Sequence, residues 1–327
     1  MRPYGSISNS GLGRCGSDQH GAALLTVLLV VALAATVVSG LIWRAEIEAR
    51  RVSEQQQLYQ VRRVLDSAQS WAASLLRWQA RHSPGVTALG GLWALPLPPT
   101  RLDKLPGLSL PEGTGPSSWH AIILSGRIED AQSRFNLANL IRNQSGGSMD
   151  IEPSQLAVLH RLLQQLHLDP GLARPIAACV LQLAERIAAP GQPPLHNLDQ
   201  LLQVPGLSPA VLDRLRSALV ALPEPTPVNA NTASADVLQA VLPALPAQAI
   251  ADFTARRDHV YLRQLADLQE VVQAALPATA SLDLSDLDVD SRYFILHLQA
   301  GSGQVRVHRQ TLIYRDPRSH QTRILPP

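Results

Sequence analysis

A run of uncharged residues near the amino terminus constrains this chain more than any other feature. Residues 22–42 read AALLTVLLVVALAATVVSGLI, and no charged side chain interrupts these 21 positions. At about 1.5 Å per residue, a helix of this length spans roughly 31 Å, which is the thickness of the hydrocarbon core of a membrane. The apolar region of a cleaved secretory signal has only about 7 to 15 residues. The run therefore predicts one membrane-spanning helix, and an uncleaved signal anchor is the simplest interpretation.

The polar segment before this span allows a second interpretation. Residues 1–21 are rich in glycine and serine and contain two arginines and one aspartate, so we expect them on the cytoplasmic side. A polar leader that ends in glycine and directly precedes an apolar helix resembles the class III signal of type IV pilins and type II secretion pseudopilins. The resemblance implies that a prepilin peptidase cleaves after Gly21 and methylates the new amino terminus of Ala22.

The fifth residue of the predicted mature chain indicates one class within this family. It is Thr26, where the resemblance would place a glutamate that pairs with the terminal amine of the subunit above. A carboxylate at membrane depth is costly without a partner, and a subunit at the top of the fibre has none. Thr26 therefore suits the topmost position, and the K-type minor pseudopilins habitually lack this glutamate. In a plain membrane anchor, Thr26 would be only a membrane-compatible residue.

The chain after the span is predicted to continue the same helix. Residues 43–82 contain neither proline nor glycine, and apolar residues recur there at steps of three and four. These positions are Leu58, Val61, Leu65, Ala68, Ala72 and Leu75. We expect one helix over residues 22–81 that ends at Ser83-Pro84-Gly85. A coiled-coil stalk and the first helix of a pilin, which packs on a sheet, would both show this pattern.

A polar motif follows the first predicted strands. Residues 84–118 are expected to form a loop with short extended pieces. From Trp119 the pattern predicts a strand, a turn at Ser125-Gly126 and a second short strand over residues 127–130. Residues 130–140 read DAQSRFNLANL, which closely resembles the DAQGRFNLNNL motif of K-type minor pseudopilins. The motif residues are Asp130, Gln132, Arg134, Phe135, Asn136 and Asn139. Because Asn and Asp side chains bond to nearby backbone, we expect this segment to fix the exit from the sheet.

Residues 143–280 are predicted to form an all-helical region. Short helical patterns alternate there with turn signals that contain proline and glycine. The patterns cover residues 153–168, 172–188, 198–203, 209–222, 233–242, 247–258 and 262–273. In the K-type family such a domain is inserted into the pilin fold, and VNANTAS at residues 228–234 resembles its INVNTAS motif through Asn229, Asn231 and Thr232. Asn231 or Thr232 is well placed to cap the next helix.

The helical region also allows a different function. The stretches that begin at Asn197 and Val228 resemble helix-hairpin-helix units, which bind DNA phosphates through glycine-rich hairpins at helix starts. The second hairpin, residues 242–246, has no glycine, and only Gly206 remains in the first. Residues 196–280 contain five arginines against eight acidic residues, a balance that opposes phosphate binding. The alternative function is that of a membrane-anchored DNA-binding protein of a DNA-uptake system.

The carboxyl-terminal residues return to strand patterns. Residues 292–298, 304–309 and 311–314 predict three short strands, with a turn at residues 300–303. The sequence SRYF at residues 291–294 resembles the S-x-YF sequence of the K-type family. We expect these strands to complete an antiparallel sheet that begins near Trp119.

Calcium is expected only from the family resemblance. The helical domain of K-type proteins binds calcium through clustered carboxylates, which are the hard oxygen ligands that this ion requires. The corresponding segment around residues 183–191 is shortened and has few carboxylates. The remaining candidate calcium ligands are Asp283, Asp286, Asp288 and Asp290. A solvated acidic loop explains this cluster more simply.

The sequence contains no enzyme motif. It has no G-x-S-x-G, no G-x-x-x-x-G-K and no H-E-x-x-H sequence, and its ten histidines are scattered. Its two cysteines are Cys15, in the leader, and Cys179, in an apolar helical pattern that predicts a buried thiol. We therefore predict no catalytic residues.

Together these patterns predict an α+β chain with a pilin-like fold and a large inserted all-helical domain. The predicted boundaries are a leader at 1–21, a transmembrane part of the first helix at 22–42, its periplasmic part at 43–83, the first part of the sheet at 84–141, the helical insertion at 142–282 and the last strands at 283–327.

The resemblance implies a minor pseudopilin of the type II protein secretion system. Such a subunit sits at the pseudopilus tip and initiates assembly for the export of folded proteins across the outer membrane. It would cross the bacterial inner membrane once, with its bulk in the periplasm. The implied partners are the I-type and J-type minor pseudopilins, the major pseudopilin, the inner-membrane secretion platform and the prepilin peptidase, without nucleic acid.

Overall fold

A computed structural model describes residues 19–102, 122–144, 148–187, 197–257, 259–273 and 283–325. Most of the predicted leader, residues 1–18, and the predicted strand position Trp119 lie outside these described residues. The chain divides into two compact units, Met1–Tyr59 and Gln60–Pro327.

The described residues contain seven α-helices, one of them much longer than the others. The helices are α1 (Gln19–His82), α2 (Pro153–Gln165), α3 (Ala173–Ile187), α4 (Pro209–Leu215), α5 (Ala235–Val241), α6 (Ala247–Arg257) and α7 (Leu265–Gln273). Five 3₁₀ helices are Leu92–Ala94, Ala131–Ser133, Leu137–Leu140, Pro170–Leu172 and Leu198–Gln203.

In the first unit, the part of α1 up to Ile42 has an apolar surface. The predicted long helix is confirmed, and it begins three residues before residue 22. The large apolar side chains between Leu24 and Ile42 are 52–69% exposed. Within the described residues, this part of α1 has the length and composition to cross a membrane. An apolar surface of this extent requires lipid or a partner around it.

The second unit contains an antiparallel sheet of five strands in the order β1-β2-β9-β10-β11. Its strands are β1 (Leu97–Arg101), β2 (Ile123–Asp130), β9 (Tyr293–Ser302), β10 (Val305–Arg315) and β11 (Thr322–Leu325). The other strands pair in twos and are β3 (Phe135–Asn136), β4 (Ile141–Asn143), β5 (Met149–Ile151), β6 (Leu219–Val220), β7 (Val228–Asn229) and β8 (Leu287–Asp288).

One face of this sheet packs on the part of α1 that belongs to the second unit. We call this packing the sheet core; it contains Val61, Leu65, Ala72, Leu76, Trp93, Leu124, Ile128, Phe294, Leu296, Leu298 and Ile313. Alternate residues of each strand enter it, as the period of a strand requires. Arg309 of β10 also donates a hydrogen bond to Asp66 of α1. The predicted pilin-like packing of a long helix on an antiparallel sheet is confirmed.

Short helices build a separate helical core in the same unit. Val158, Leu159, Leu162 and Leu163 of α2 recur at helical spacing and are 3% exposed or less. They pack with apolar side chains that include Ile176, Leu215, Leu238 and Phe253. The helices lie between β2 and β9 in the chain, so the predicted insertion of helices into the sheet is confirmed, but the insertion is not all-helical, because β5, β6 and β7 also lie within residues 142–282.

Two sequence predictions about the strands are wrong. Ser125-Gly126 is not a turn, because β2 runs through it and pairs with β9 along its whole length. A Cβ atom on Gly126 would lie 2.7 Å from Cδ2 of Leu298, so this glycine allows close packing in the sheet core. The predicted strands at 304–309 and 311–314 are one strand, β10. Strand β1 lies among the short extended pieces expected in residues 84–118, and β11 was not predicted.

Several helices differ from their predicted ends. Residues 198–203 form a 3₁₀ helix instead of an α-helix. The predicted helix over 209–222 ends at Leu215, because the next residues enter β6, which pairs with β3. These are tertiary effects that local periodicity does not show.

Candidate functional site

The motif residues meet in a buried polar cluster where the sheet joins the helical core. We call this cluster the polar junction. Asp130 is the last residue of β2, Asn229 is the last residue of β7, and Ser291 lies two residues before β9. The polar junction consists of Thr87, Asp130, Gln132, Asn229, Thr232, Asp290, Ser291 and Arg315, of which all but Asp290 are at most 9% exposed.

Asp130 is the centre of the polar junction. Its Oδ2 accepts hydrogen bonds from Thr232 Oγ1 at 2.6 Å, Ser291 Oγ at 2.6 Å and Asn229 Nδ2 at 2.9 Å. Its Oδ1 accepts one from the backbone N–H of Gln132 at 2.9 Å. One carboxylate thus joins the end of β2 to the segment after β7 and to the start of β9.

Burial and hydrogen bonding act in opposite directions on this carboxyl. Burial raises the pKa of Asp130 above its ordinary value, and it outweighs the opposite effect of the hydrogen bonds from Ser291, Thr232, Gln132 and Asn229. A buried carboxylate is stable only where donors replace water. The four donors therefore belong to the site as much as the acid does.

A second group of bonds continues from the carboxylate to β10. Thr87 Oγ1 donates to Asp290 Oδ1 at 2.7 Å and accepts from Ser291 N at 3.2 Å. Arg315 Nη2 lies 2.6 Å from Asp290 Oδ1 and 2.7 Å from the carbonyl oxygen of Ser291. Arg315 is 3% exposed, and its guanidinium lies 4.9 Å from the ring centroid of Phe294. The ion pair joins β10 to the segment that leads into β9.

The amides of the first motif hold the loop before β7. Asn139 Nδ2 donates to the carbonyl of Thr226 and its Oδ1 accepts from the N–H of Thr226, both at 2.9 Å. Asn136 Nδ2 donates to the carbonyl of Glu224 at 2.8 Å. Gln132 Oε1 accepts from the N–H of Arg292 at 2.6 Å. The expected bonding of Asp and Asn to their own backbone is confirmed at Asp130 and Asn136, but most of these amide bonds are long-range.

The two other motif residues have separate roles. Phe135 is 1% exposed and belongs to the helical core. Arg134 forms an ion pair with Glu129 on β2, outside the polar junction. The motif thus combines one apolar anchor, one surface ion pair and four polar residues that bond backbone or carboxylate groups.

The predicted cap by Asn231 or Thr232 is wrong. Ser234 is the N-cap of α5, and its Oγ accepts from the N–H of Val237. Asn231 instead bonds both backbone groups of Leu262, at 2.8 and 2.9 Å, and Thr232 bonds Asp130. Sequence reasoning placed these residues next to a helix start and missed their long-range partners.

The predicted processing residues lie at the start of α1. The backbone of Gly21 and Ala22 is helical within α1, and Thr26 is exposed on the same helix. Cleavage between Gly21 and Ala22 and methylation of Ala22 stay predictions.

The four candidate calcium ligands are bound to different partners. Asp283 accepts from the N–H of Ser285, Asp286 accepts from Gln155 Nε2 at 2.7 Å, and Asp288 accepts from the N–H of Val289. Asp290 forms the ion pair with Arg315. Over the described ranges, no group of three or more His, Cys, Asp or Glu side chains is placed to hold a metal ion.

The hairpins that resemble DNA-binding units are packed with leucines. Leu242 and Leu245 of the second hairpin are 3% and 4% exposed and belong to the helical core. In the first hairpin, Gly206 has a φ of +87°, and the following helix start is capped by Ser208, which accepts from the N–H of Val211. Cys179 is buried, as predicted.

Thr87 and Arg315 were not identified from the sequence. Arg315 lies at a position of β10 where the alternation of the strand places side chains on the buried face of the sheet. An arginine at such an otherwise apolar position is the sequence signal that could have identified it. Thr87 lies in a loop and shows no comparable signal. The sequence motifs therefore identify one part of the polar junction, whereas Thr87 and Arg315 become visible as members only in the folded structure.

The chain is similar to known components of one secretion machine. Residues 133–224 match the family described as Type II secretion system (T2SS), protein K. A protein of Pseudomonas aeruginosa named Type II secretion system protein K is 29% identical over 255 residues, which cover 71% of this chain and 70% of that protein. Proteins of the same name from Pectobacterium carotovorum and Aeromonas hydrophila are 24% and 25% identical and cover 91% of this chain.

A solved structure shows the same fold. The chain is similar to one in the crystal structure of the GspK-GspI-GspJ complex from the Type 2 secretion system of enterotoxigenic Escherichia coli. The TM-score is 0.62 and the identity is 20%, over 84% of this chain and 98% of the other. The matched family segment includes most of the DAQSRFNLANL motif and helices α2, α3 and α4.

Proposed function

We propose that this chain, which is similar to the Type II secretion system protein K of Pseudomonas aeruginosa, belongs to that family and is the minor pseudopilin at the tip of the pseudopilus. In this role it initiates fibre assembly with other minor pseudopilins and so supports the export of folded proteins across the outer membrane. Its work is binding and assembly, and no residue is assigned to catalysis.

The observation that supports this role most directly is the build of α1. Its first part has exposed apolar side chains, and its last part packs on an antiparallel sheet. Such a helix can hold a folded domain next to a membrane and also align beside the helices of other subunits. The polar junction adds a fixed connection from the sheet to the inserted helices.

The proposed partners are the I-type and J-type minor pseudopilins. The similar structure from Escherichia coli is a GspK-GspI-GspJ complex. On this chain, Trp71 and Trp78 of α1 are 62% and 42% exposed and lie seven residues apart on one face of the helix. Exposed tryptophans are frequent centres of protein interfaces. The major pseudopilin and the inner-membrane secretion platform complete the proposed assembly.

The proposed location is the bacterial inner membrane, with one span and the bulk of the chain in the periplasm. A prepilin peptidase would remove residues 1–21 and methylate Ala22. Thr26, in place of a glutamate, suits a subunit with no neighbour above it, because an unpaired carboxylate at membrane depth is costly.

Co-purification tests the proposed partners. The full chain is co-expressed with I-type and J-type minor pseudopilins and extracted in mild detergent, and we expect a complex of the three. Replacement of both Trp71 and Trp78 by serine should reduce recovery of the partners. Replacement of the 61%-exposed Tyr59 by serine is the matched control for loss of an exposed aromatic residue on α1. Absence of a complex with the unaltered chain would contradict the proposal.

Processing has its own test. Amino-terminal sequencing of the membrane-extracted protein should start at methylated Ala22 in cells that contain the prepilin peptidase. A start at Met1 in such cells would favour a plain membrane anchor.

We also propose that the protein folds without calcium. Each of the four candidate aspartates has a protein partner, and Asp290 is paired with a buried arginine. Adding calcium or a chelator to the purified chain should leave its melting temperature unchanged. A rise of several degrees with calcium would show a site that the aspartate geometry does not suggest.

A further inference from the structure

The sheet has a polar groove on its outer face, which is the face opposite α1. The open part of this face is formed by six side chains in two rows across three strands. One row is Ser125, Gln299 and His308, and the other is Arg127, His297 and Gln310. Pro96 to Pro99 beside β2 form one wall, and the groove is open, with a volume of about 630 Å³. The side chains on the opposite face of the same strands enter the sheet core, so the side chains on the outer face can be polar.

Among the residues that the structure describes, apolar packing covers the outer face at one end only. Tyr293 and Ile295 of β9 pack there against Val220 and Leu222. From His297 onwards, the same face of β9 has no apolar residue that packs in this way. The groove therefore begins where the covering segment stops.

The hydrogen-bonding groups of the groove are largely unused. Within the described residues, the side chains of Ser125, Gln299, His308 and Gln310 have no hydrogen-bond partner. A glutamine amide can both donate and accept, as a peptide group does. Such side chains can bond the backbone of a chain that lies across them.

The charge of the groove is positive. The carboxylate beside the groove is that of Glu129. It forms ion pairs with Arg127, at 2.6 Å, and with Arg134, and it lies 3.2 Å from His297 Nε2. Three basic side chains thus share one acid. On β10, Arg306 lies two residues before His308 on the same face, at the edge of the groove, and both side chains are exposed; neither forms an ion pair with a described residue. The surplus of basic groups favours a ligand with carboxylates.

The spacing favours an extended ligand over a compact anion. The two rows are two residues apart along the strands, which is about 7 Å, and three strands span about 10 Å. A phosphate needs donors that converge on one point, and these side chains are spread out. Alternate side chains of an extended peptide repeat at the same 7 Å.

We propose that this groove binds an extended, acidic segment of another polypeptide. The inference rests on the sheet alone and does not depend on the proposed function in secretion. The basic side chains pair with carboxylates at alternate positions of the segment, and the glutamines bond its backbone.

Fluorescence anisotropy on the full chain in neutral-lipid nanodiscs tests this proposal. The probe is a fluorescein-labelled peptide of five Glu-Ser repeats, with Gln-Ser repeats as the uncharged comparison. We expect a Kd on the order of 10–100 µM at low salt for the acidic peptide. Replacing Arg127 and Arg306 together by glutamine should weaken binding about tenfold, because two exposed charge pairs are lost.

The matched control removes two exposed arginines elsewhere. Replacing Arg174 and Arg186 of α3 by glutamine changes the net charge equally and should leave the Kd within about twofold. Equal losses in both double variants would show nonspecific attraction and overturn the proposal. So would competition by tripolyphosphate as strong as by unlabelled peptide, or no binding at a millimolar concentration of protein.

Discussion

Asp130 shows how one residue can decide the stability of a junction. Its carboxylate accepts four hydrogen bonds, and three of the donors come from segments more than 90 positions away in the chain. An asparagine at this position keeps the shape but replaces one acceptor oxygen by a donor amide. At least one hydroxyl or amide of the junction would then face a donor and lose its partner.

We predict that Asp130→Asn lowers the free energy of unfolding by about 2–4 kcal/mol, because hydrogen bonds to a buried charge are lost. Urea unfolding of the full chain in micelles, followed by circular dichroism, measures the shift of the midpoint. Asp169→Asn is the control, since Asp169 makes an exposed cap bond to Gly171 that asparagine can replace. Equal midpoints for Asp130→Asn and the unaltered chain would show that the junction is not stabilising.

Glu129 gives a prediction about pH. Its carboxylate lies among His297, Arg127 and Arg134, and the close approach of His297 Nε2, at 3.2 Å, is the main reason that its pKa falls to about 2. Because the folded pKa is lower than the ordinary value of 4.5, the stability it contributes is complete above about pH 4.5 and is lost as the pH falls towards 2.

Glu129→Gln should therefore destabilise the chain by about 1–3 kcal/mol at pH 7 and change little at pH 2. Urea midpoints measured from pH 2 to pH 7 give both values. Glu185→Gln, at an exposed position on α3, should give the same urea midpoint as the unaltered chain at each pH. A constant difference between Glu129→Gln and the unaltered chain at every pH would contradict the role of the charge.

At the scale of elements, the packing of β2 against β9 depends on the absence of a side chain at Gly126. An added Cβ would lie 2.7 Å from Leu298 Cδ2 and 3.0 Å from the carbonyl oxygen of His297. Gly126→Ala should cost about 1–3 kcal/mol, because the strands must separate or Leu298 must leave its place in the sheet core. Thermal melts give the comparison with Gly90→Ala, where a Cβ would meet nothing within 4 Å. A melting temperature for Gly126→Ala equal to that of Gly90→Ala would be evidence against this packing.

The elements also show what the sequence could and could not predict. The length of α1 follows from 40 residues without proline or glycine after the span, and the helices from their apolar period. Gly126 was predicted to form a turn because glycine is common in turns. Only its pairing with β9 shows that this glycine allows close packing in the sheet core. The hydrogen-bond partners of the Asn231 and Arg315 side chains are 31 and at least 24 residues away, and the local pattern contains no information about them.

At the scale of the whole second unit, two apolar cores share one polar junction. The sheet core lies on one side of Asp130, beginning with Ile128, and the helical core lies beside Asn229, with Val228 and Ala230. The buried contacts between them include the apolar packing of Tyr293 and Ile295 on Val220 and Leu222, and the hydrogen bonds of the polar junction, which are strong only while all are satisfied together. The bonds at Asp130 therefore decide whether the cores unfold together.

We predict that hydrogen exchange of the full chain in urea gives one midpoint for peptides from α2 and from β9. In Asn229→Ala, which removes the donor to Asp130 and to the carbonyl of Thr87, the two midpoints should separate, because each core keeps its own apolar contacts. Gln200→Ala, at a polar side chain of the helical core outside the junction, is the control and should keep a single midpoint. Separate midpoints already in the unaltered chain would show that the cores are independent and that the polar junction joins them without coupling them.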